Sequence, residues 1–158
     1  MYRIGVGYDS HRLIEGRPLM LGGARIPHTA GLKGHSDGDA LCHAIIDAIL
    51  GAAAKGDIGR HFPDDDARHE GANSLDLLRR AVAVVHEDGW RIENVDAVVV
   101  AERPKLAPHI DRIRQTLAGA LGVVIDAVSV KGKTNEGMGE VGRSEGMVVH
   151  AVALLRRV

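Results

Sequence analysis

With 158 residues, 45% of them hydrophobic, the chain is long enough for one domain with its own core, since a domain of this size buries roughly 70% of its unfolded surface. Its net charge of -1, from 20 basic and 21 acidic residues, excludes the basic surface that nucleic-acid binding requires, and no apolar run approaches the roughly 20 residues that span a bilayer. The single cysteine, Cys42, lies in an apolar run as an expected buried thiol, and no apolar export segment precedes Asp9, so we expect a cytoplasmic protein.

The first part of the chain predicts a strand, a hairpin and a polar loop. Residues 2–9 alternate in the period of two that is typical of a strand. Gly22-Gly23 separates two short apolar runs, 18–21 and 24–27, which predicts a β-hairpin. Residues 28–38 are rich in Gly, His and Asp, and we expect them to form a loop.

Two helices and a long loop are predicted next. Apolar residues recur with a helical period over residues 39–54 and predict a helix with one buried face. Residues 55–72 contain several glycines and an acidic run, and a loop of this length in a compact domain is usually functional. A second helix is predicted to begin after Asn73 as its N-cap and to stop at Gly89.

The remaining elements are strands around one more helix. Residues 95–101 form a β-branched run that predicts a strand covered on both faces. Residues 110–121 share an apolar face and predict a helix. Two further strands, 127–130 and 147–155, flank the glycine-rich stretch 132–146.

These elements predict a single domain over residues 1–158. The order of strand, hairpin, two helices, strand, helix and two strands indicates an α/β (α+β) fold. We expect a mixed β-sheet covered on one face by helices, plus the short β-hairpin. There is no internal repeat and no low-complexity linker.

A metal site is the first chemical hypothesis. Asp9 and His11 are two residues apart, so at the end of a strand their side chains point to the same side. With His43 they supply one carboxylate and two imidazoles, which leaves one position of a tetrahedral ion open, as in catalytic zinc sites. Asp39 and Asp47 lie one helical turn on either side of His43, and we predict that they orient its ring.

The alternative is that these residues bind no metal. The chain has nine histidines, so His11 and His43 are then ordinary surface or core residues and Asp9 caps a turn. The polar stripe around His43 would be a solvent-exposed helix face.

Two polar clusters indicate ligand binding. The segment 35–39, His-Ser-Asp-Gly-Asp, is typical of a flexible cap over a ligand, but Ser36 has no nucleophile-elbow sequence around it, which argues against covalent catalysis. The segment 131–137, with Gly139, Gly142 and Arg143 beyond it, follows a strand and offers cations, hydroxyls and backbone N–H groups to phosphate. Its carboxylate, Glu136, is a candidate magnesium ligand. The segment lacks the Walker pattern, and alone it is a weak signal.

Five motifs occur in order along the chain: Gly7-Tyr8-Asp9-Ser10-His11, His35-Ser36-Asp37-Gly38-Asp39, Asp57-Ile58-Gly59, Phe62-Pro63-Asp64 and Arg103-Pro104-Lys105. Together they resemble the 2-C-methyl-D-erythritol 2,4-cyclodiphosphate synthase family of the non-mevalonate isoprenoid pathway. The resemblance runs from residue 2 to about residue 155, and five ordered motifs are far more specific than any one of them.

The resemblance implies a metal-dependent phosphorus–oxygen lyase. Its reaction converts 4-diphosphocytidyl-2-C-methyl-D-erythritol 2-phosphate to 2-C-methyl-D-erythritol 2,4-cyclodiphosphate and releases CMP. It also implies a homotrimer with active sites between subunits, zinc on Asp9, His11 and His43, and a magnesium ion near Glu136 that bridges the diphosphate. Manganese or cobalt at the first site stays open, because these metals share its ligand types.

The resemblance assigns roles to individual residues. It makes His35 and Thr134 transition-state stabilisers, with Ser36 beside the first. The residues implied for the methylerythritol unit are Asp57, Ile58, Gly59, Phe62, Pro63, Asp64 and Asp66. Those implied for the CMP end are Ala101, Pro104, Lys105 and Leu106. The other implied substrate contacts are Asp9, His11, Lys133, Asn135, Glu136 and Arg143.

The sequence departs from the family pattern at three positions. Lys133 and Asn135 stand where many members have Thr, which affects the phosphate contacts. Glu140 replaces a common aromatic residue and puts in doubt any binding of isoprenoid diphosphates in the trimer cavity. A non-catalytic binding protein and a metal-dependent phosphohydrolase remain the alternative functions.

Overall fold

The computed structural model describes residues 1–158 and confirms the predicted fold class, a mixed five-stranded sheet with helices and a separate two-stranded hairpin. The strands are β1 (Tyr2–Glu15), β2 (Leu19–Leu21), β3 (Ala24–Ile26), β4 (Ala30–Leu32), β5 (Trp90–Val100), β6 (Val128–Lys133) and β7 (Gly146–Arg157). The helices are α1 (Ala40–Ala52), α2 (Ile58–His61), α3 (Ser74–Glu87), α4 (Ile110–Leu121) and α5 (Gly139–Gly142), with single 3-10 turns at Ala67–His69, Ala107–His109 and Ile125–Ala127.

The large sheet has the order β4-β1-β7-β5-β6, and only the β5–β6 pair is parallel. Helix α1 packs across β1 and β7, and α3 packs on α1. One face of the sheet is therefore buried under helices. The opposite face is open in the single chain, where Ile4, Val6 and Tyr8 are 74%, 71% and 54% exposed.

Two glycines of β1 allow α1 to lie close to the sheet. A Cβ atom at Gly5 would lie 2.1 Å from the Ala48 carbonyl oxygen, and one at Gly7 would lie 1.8 Å from the Ala44 carbonyl oxygen. Both distances are too short for any side chain. The strand that carries Asp9 and the helix that carries a candidate partner are thus held together by backbone contact.

Several predicted boundaries are confirmed. Asp39 is the N-cap of α1, and its side chain accepts the N–H of Cys42. Asn73 is the N-cap of α3. Helix α4 ends at Gly122, which adopts the left-handed conformation with φ 70°. The predicted hairpin forms from β2 and β3.

Several sequence predictions are wrong in extent. β6 continues to Lys133 instead of ending at residue 130, and the glycine-rich stretch 132–146 contains the short helix α5. β1 continues to Glu15 because its last residues pair with β4, a short strand inside the predicted loop 28–38. β5 begins at Trp90 rather than at residue 95, and its side chains alternate between buried and partly exposed, so one face is covered rather than both. The predicted loop 55–72 contains the short helix α2.

Cys42 is buried in α1, as predicted. None of the helices combines the length and the apolar character needed to cross a membrane.

Candidate metal centre and active site

Two neighbouring elements position the three predicted metal ligands. Asp9 and His11 lie on the helix-covered face of β1, in register with Val149 and Met147 of β7. His43 lies on α1, which packs against this face. Strand alternation and close packing of α1 therefore direct the three side chains toward each other.

The ligand atoms meet at one point. His11 Nε2 is 2.8 Å and His43 Nδ1 is 3.0 Å from Asp9 Oδ2, and the two nitrogens are 3.3 Å apart. Ligand atoms about 2 Å from a tetrahedral zinc ion are separated by about 3.3 Å, so these spacings fit a divalent cation. The predicted metal triad is present in the structure.

The second nitrogen of each imidazole also has an oxygen partner. His11 Nδ1 lies 2.5 Å from the Lys33 carbonyl oxygen and donates to it, which leaves Nε2 free as a ligand. His43 Nε2 lies 2.8 Å from Ser74 Oγ and 3.1 Å from Ser36 Oγ. These contacts, on the ring nitrogens that face away from Asp9, fix the orientation of both imidazoles.

Charge supports the same arrangement. Burial acts to raise the pKa of Asp9, but hydrogen bonds from His11 and His43 outweigh burial and hold the pKa of this carboxyl below its usual value. Burial acts to lower the pKa of His11, but the hydrogen bond and charge of Asp9 raise that pKa above its usual value. The negative charge of Asp9 therefore favours a cation at this point.

The polar residues flanking His43 on α1 do not orient its ring, which corrects the prediction for Asp39 and Asp47. Asp39 is fully buried, and besides capping α1 it accepts the N–H groups of Gly22 and Gly23 from the hairpin. Asp47 accepts the N–H of Ile58 at 2.7 Å. Both carboxylates are occupied by backbone donors on other segments, so neither reaches the imidazole.

A pocket opens beside the triad. Most residues predicted for the methylerythritol unit line it. Its walls are Asp9, His11, Gly34, His35, Ser36, His43, Asp47, Ile58, Gly59, Phe62, Asp64, His69 and Leu77. His35 Nε2 is buried without a hydrogen-bond partner in the chain, so it is available to a bound ligand. Ser36 Oγ instead lies against the His43 ring.

Asp47 and His69 were missed by the sequence analysis as pocket residues. Burial raises the pKa of Asp47 even though the Ile58 N–H acts to lower it. The ring of His69 meets that of Phe62 edge-on, with centroids 5.7 Å apart. The motifs Asp57-Ile58-Gly59 and Phe62-Pro63-Asp64 were the sequence signals for this wall, and neither includes these two side chains.

Two of the predicted loop residues serve the local backbone. Asp57 caps α2 by accepting the N–H of Arg60 at 2.9 Å. Asp66 accepts several hydrogen bonds from Arg68, including its backbone N–H. Asp57, Pro63 and Asp66 do not line the pocket.

The predicted CMP-end residues form a second pocket. It is lined by Ala101, Glu102, Pro104, Lys105, Leu106, Ala107, Ile110, Gly132, Lys133 and Thr134. No residue is common to the two pockets. The predicted substrate contacts thus divide into a metal half, built around Asp9, His11 and His43, and a phosphate half, built on residues 101–107 and 132–137.

The two halves are far apart in one chain. Asp9 pairs with Val149, Val149 pairs with Val99, and Val99 pairs with Gly132. Three inter-strand steps of about 4.8 Å place the Asp9 and Gly132 backbones about 14 Å apart. One chain therefore does not bring Thr134 next to the metal ligands.

Glu102 organises the phosphate half and was missed by the sequence analysis. Its Oε1 accepts the N–H of Asn135 at 2.7 Å and the N–H of Gly137 at 3.3 Å. Between them Glu136 adopts φ 53°, a left-handed conformation that costs energy for a residue with a side chain. These two N–H groups are occupied by Glu102, so they are not among the backbone donors that the loop offers to phosphate.

Arg143 and Glu140 lie outside both pockets. Arg143 Nε donates to Glu145 at 2.9 Å and is largely exposed. Glu140 borders a separate shallow groove with Tyr8 and Arg12.

The sequence matches a family model and curated proteins over nearly its whole length. The model of the YgbB family matches residues 2–156. A 2-C-methyl-D-erythritol 2,4-cyclodiphosphate synthase from Chromobacterium violaceum is 61% identical over 155 residues, covering 98% of each chain. One from Dechloromonas aromatica is 57% identical over 157 residues, covering 99% of this chain and 98% of that one.

Solved structures agree with the fold. A 2C-methyl-D-erythritol-2,4-cyclodiphosphate synthase in its CDP-bound form has a TM-score of 0.90 at 42% identity, covering 98% of this chain and 100% of that one. The bifunctional IspDF from Campylobacter jejuni has a TM-score of 0.97 at 42% identity over 100% of this chain. The chain spans 43% of that bifunctional protein.

Proposed function

The chain belongs to the YgbB family, and we propose that it cyclises 4-diphosphocytidyl-2-C-methyl-D-erythritol 2-phosphate to 2-C-methyl-D-erythritol 2,4-cyclodiphosphate with release of CMP. The observation that carries the proposal is the convergence of Asp9, His11 and His43 at the mouth of a pocket. This geometry occurs in a chain 61% identical to a named synthase of that product.

The chemistry needs placement more than proton transfer. The attacking group is the 2-phosphate oxygen, which is already anionic at neutral pH, so no general base is required. It forms a bond to the β-phosphorus while the bond from that phosphorus to the CMP oxygen breaks, and CMP leaves with the electron pair. Because both phosphates belong to one molecule, correct positioning lowers the barrier strongly.

Repulsion between anions is the main obstacle, and the candidate residues address it. Divalent cations at the triad and at Glu136 would supply the positive charge that offsets the crowded phosphate oxygens. His35, with its unpaired Nε2, would donate to a phosphate oxygen on the metal side. Thr134 and Lys133, both exposed, would contact the diphosphate from the other side.

The remaining substrate contacts follow from the two pockets. The wall formed by Ile58, Gly59, Phe62 and Asp64 would hold the methylerythritol unit. The second pocket, with Pro104 at its centre, would hold the CMP end. Further contacts are proposed for Ser36, Asp57, Pro63, Asp66, Ala101, Lys105, Leu106, Asn135 and Arg143.

Zinc is the cation we propose for the triad, with manganese or cobalt as substitutes, because a carboxylate and two imidazoles suit all three metals. Magnesium is proposed for Glu136. The carboxylate of Glu136 makes no hydrogen bond or ion pair within the chain, and it is exposed. A cytoplasmic location is proposed from the single buried Cys42, which needs no oxidising compartment.

We further propose a homotrimer in which each active site combines the metal half of one chain with the phosphate half of its neighbour. Two observations support this arrangement. The halves share no residue and lie about 14 Å apart within one chain. The uncovered face of the sheet presents Ile4, Val6 and Tyr8, which is the kind of apolar surface that marks a protein interface.

Phosphorus NMR of the reaction with the cytidine diphosphate substrate tests the activity. We expect signals of a cyclic diphosphate and of CMP, and loss of both when a chelator removes the metal. Release of free phosphate would instead establish the metal-dependent phosphohydrolase. An unchanged substrate spectrum under all metal conditions would leave only a binding function.

Complementation tests the shared site. His43→Ala disables the metal half and Thr134→Ala disables the phosphate half, so neither variant should be active alone. In a refolded equal mixture, about a quarter of the sites in a cyclic trimer would pair two intact halves and regain activity. A mixture as inactive as its components would contradict the shared site without affecting the activity of the wild type.

A further inference from the structure

We propose that Ser74, held by Asp37, is a positioning residue that fixes the orientation and tautomer in which His43 binds the metal. The inference rests on the metal centre of the proposed function and extends it to two residues outside the triad. Neither residue was predicted to contact His43. Ser74 is the first residue of α3, and Asp37 lies in the polar segment that precedes α1.

The contacts form a continuous chain. His43 Nε2 lies 2.8 Å from Ser74 Oγ. The Ser74 hydroxyl donates to Asp37 Oδ1, and the Ser74 backbone N–H donates to Asp37 Oδ2 at 3.0 Å. Both oxygens of the Asp37 carboxylate thus accept from Ser74, which fixes the serine on two sides, and Oδ1 also accepts the N–H of Asp39 at 3.1 Å.

Proton accounting gives this chain a direction. An ionised carboxylate only accepts, so the hydroxyl proton of Ser74 is directed to Asp37 and its oxygen lone pairs face His43. His43 Nε2 must then carry the proton and donate. A neutral imidazole has one N–H, so with a cation bound Nδ1 would present its lone pair to that ion instead of donating to Asp9 Oδ2, 3.0 Å away. In the opposite tautomer the Nε2 lone pair would face the lone pairs of Ser74 Oγ.

Burial makes this arrangement strict. The Ser74 side chain is 0% exposed, so water does not compete for the contact. Ser36 Oγ lies 3.1 Å from the same His43 nitrogen and 3.2 Å from Ser74 Oγ, so it packs beside the contact. On the Nε2 side of the ring, only Ser74 connects the imidazole to a carboxylate.

Helix capping does not explain the Ser74 hydroxyl. The N-cap of α3 is the preceding residue, Asn73, whose side-chain oxygen accepts the N–H of Leu75 at 2.9 Å. The hydroxyl of Ser74 is directed away from the helix, to Asp37 and His43. A carboxylate that orients a metal-bound histidine through hydrogen bonds is a common way to tune metal affinity.

A zinc titration against a competing chelator tests the inference. Ser74→Ala should raise the zinc dissociation constant roughly 10- to 100-fold, the usual effect of losing such an outer partner. Asn73→Ala is the matched control in the same helical turn. It should lower the melting temperature through loss of the cap while zinc affinity stays within about 2-fold of wild type.

A spectroscopic readout separates positioning from stability. In zinc-loaded wild type, proton–nitrogen NMR should show a protected Nε2 proton on His43, and this signal should disappear in Ser74→Ala. Asp37→Asn keeps an acceptor but loses the charge, so it should weaken zinc binding less than Ser74→Ala does. Asp37→Asn also gives the measurement if Ser74→Ala fails to fold.

The outcomes are distinct. Wild-type zinc affinity in both Ser74→Ala and Asp37→Asn would overturn the positioning role and leave the metal centre intact. Equal weakening by Asn73→Ala would show that only helix stability matters, which also overturns the role. A wild-type protein that binds no zinc, manganese or cobalt would refute the metal centre and the inference together.

Discussion

The metal half and the phosphate half of the candidate site are built in opposite ways. In the metal half, the side chains of Asp9, His11 and His43 are 25%, 18% and 12% exposed, and both imidazoles are fixed from behind. In the phosphate half, Thr134 and Glu136 are exposed, and Glu102 fixes the loop through two of its backbone N–H groups. A single chain thus builds the metal half completely, whereas it leaves the loop of the phosphate half exposed at its surface.

The difference follows from where each half sits in the fold. Asp9 lies on β1, and its side chain faces α1. The backbones of these two elements touch at Gly5 and Gly7, so core packing sets the ligand spacing. Thr134 follows β6, the edge strand of the sheet, where no further strand covers it. Packing in the core therefore preorganises the ligands of the metal half. The phosphate half has to be completed by another molecule.

His43→Ala should have the largest effect of the substitutions considered, because it removes a ligand from the metal half and with it the bound metal. We expect turnover to fall at least about 1,000-fold, because a divalent cation supplies several kcal/mol of transition-state stabilisation. The fold should persist, since the side chain is partly exposed at the pocket. Phosphorus NMR measures turnover and elemental analysis measures bound metal.

The matched control for that substitution is His28→Ala, at an exposed loop histidine. It should leave both metal content and turnover unchanged. Normal turnover by His43→Ala would remove the metal assignment altogether.

Val6→Glu sharpens the contrast by separating the chains. Val6 is 71% exposed on the open face of the sheet, so a charge there should disturb an interface and not the core. We expect a monomer that binds zinc as tightly as wild type, because the metal half needs only one chain. Its turnover should fall at least about 100-fold, because the phosphate half of each proposed site belongs to a neighbouring chain.

Light scattering gives the mass of that variant, and chelator competition gives its zinc affinity. Val124→Glu, at another exposed valine far along the chain, is the control and should remain assembled. A Val6→Glu monomer with full activity would show that one chain holds the whole site.

Glu102→Ala tests the backbone support of the phosphate half. Loss of the acceptor for the Asn135 and Gly137 N–H groups should let the loop relax from its strained conformation and displace Thr134. A displacement of about 1 Å can reduce kcat/KM as much as 100-fold. Glu102→Gln keeps an acceptor oxygen and should recover most of this loss.

Zinc affinity should stay at the wild-type value in both Glu102 variants, because the metal half is about 14 Å away. Equal losses in the alanine and glutamine variants would mean that the charge of Glu102, and not its hydrogen bonds, supports the loop.

The two halves also differ in how far sequence reasoning reached. The triad was predictable because Asp9 and His11 follow the strand period and His43 follows the helix period, both of which are local. Ser74 and Glu102 were not, because their partners lie 37 and 33 residues away and nothing nearby indicates the contact. Each is read from sequence as an ordinary residue at the edge of an element.

The strand predictions failed for a related reason. β4 contains Gly31 and spans three residues, so it has no periodicity of its own and forms only by pairing with the end of β1. The β-branched run in β5 predicted coverage on both faces, yet helices cover one face within the chain. Its second face is where the proposed neighbouring chains would pack.

Leu78→Ala should have the smallest effect on turnover, because Leu78 belongs to neither half of the candidate site. Leu78 is fully buried in α3, and its truncation should lower the free energy of unfolding by roughly 2 to 5 kcal/mol through lost burial and a cavity. Turnover per folded molecule should stay within about 2-fold of wild type, because the ligand spacing is set by β1 and α1. Urea unfolding measures the stability. Arg79→Ala, on the exposed side of the same helix, is the control. Its ion pair with Asp76 should contribute less than about 1 kcal/mol to the free energy of unfolding. A large loss of zinc affinity in Leu78→Ala would instead mean that α3, through Ser74, transmits core packing directly to His43.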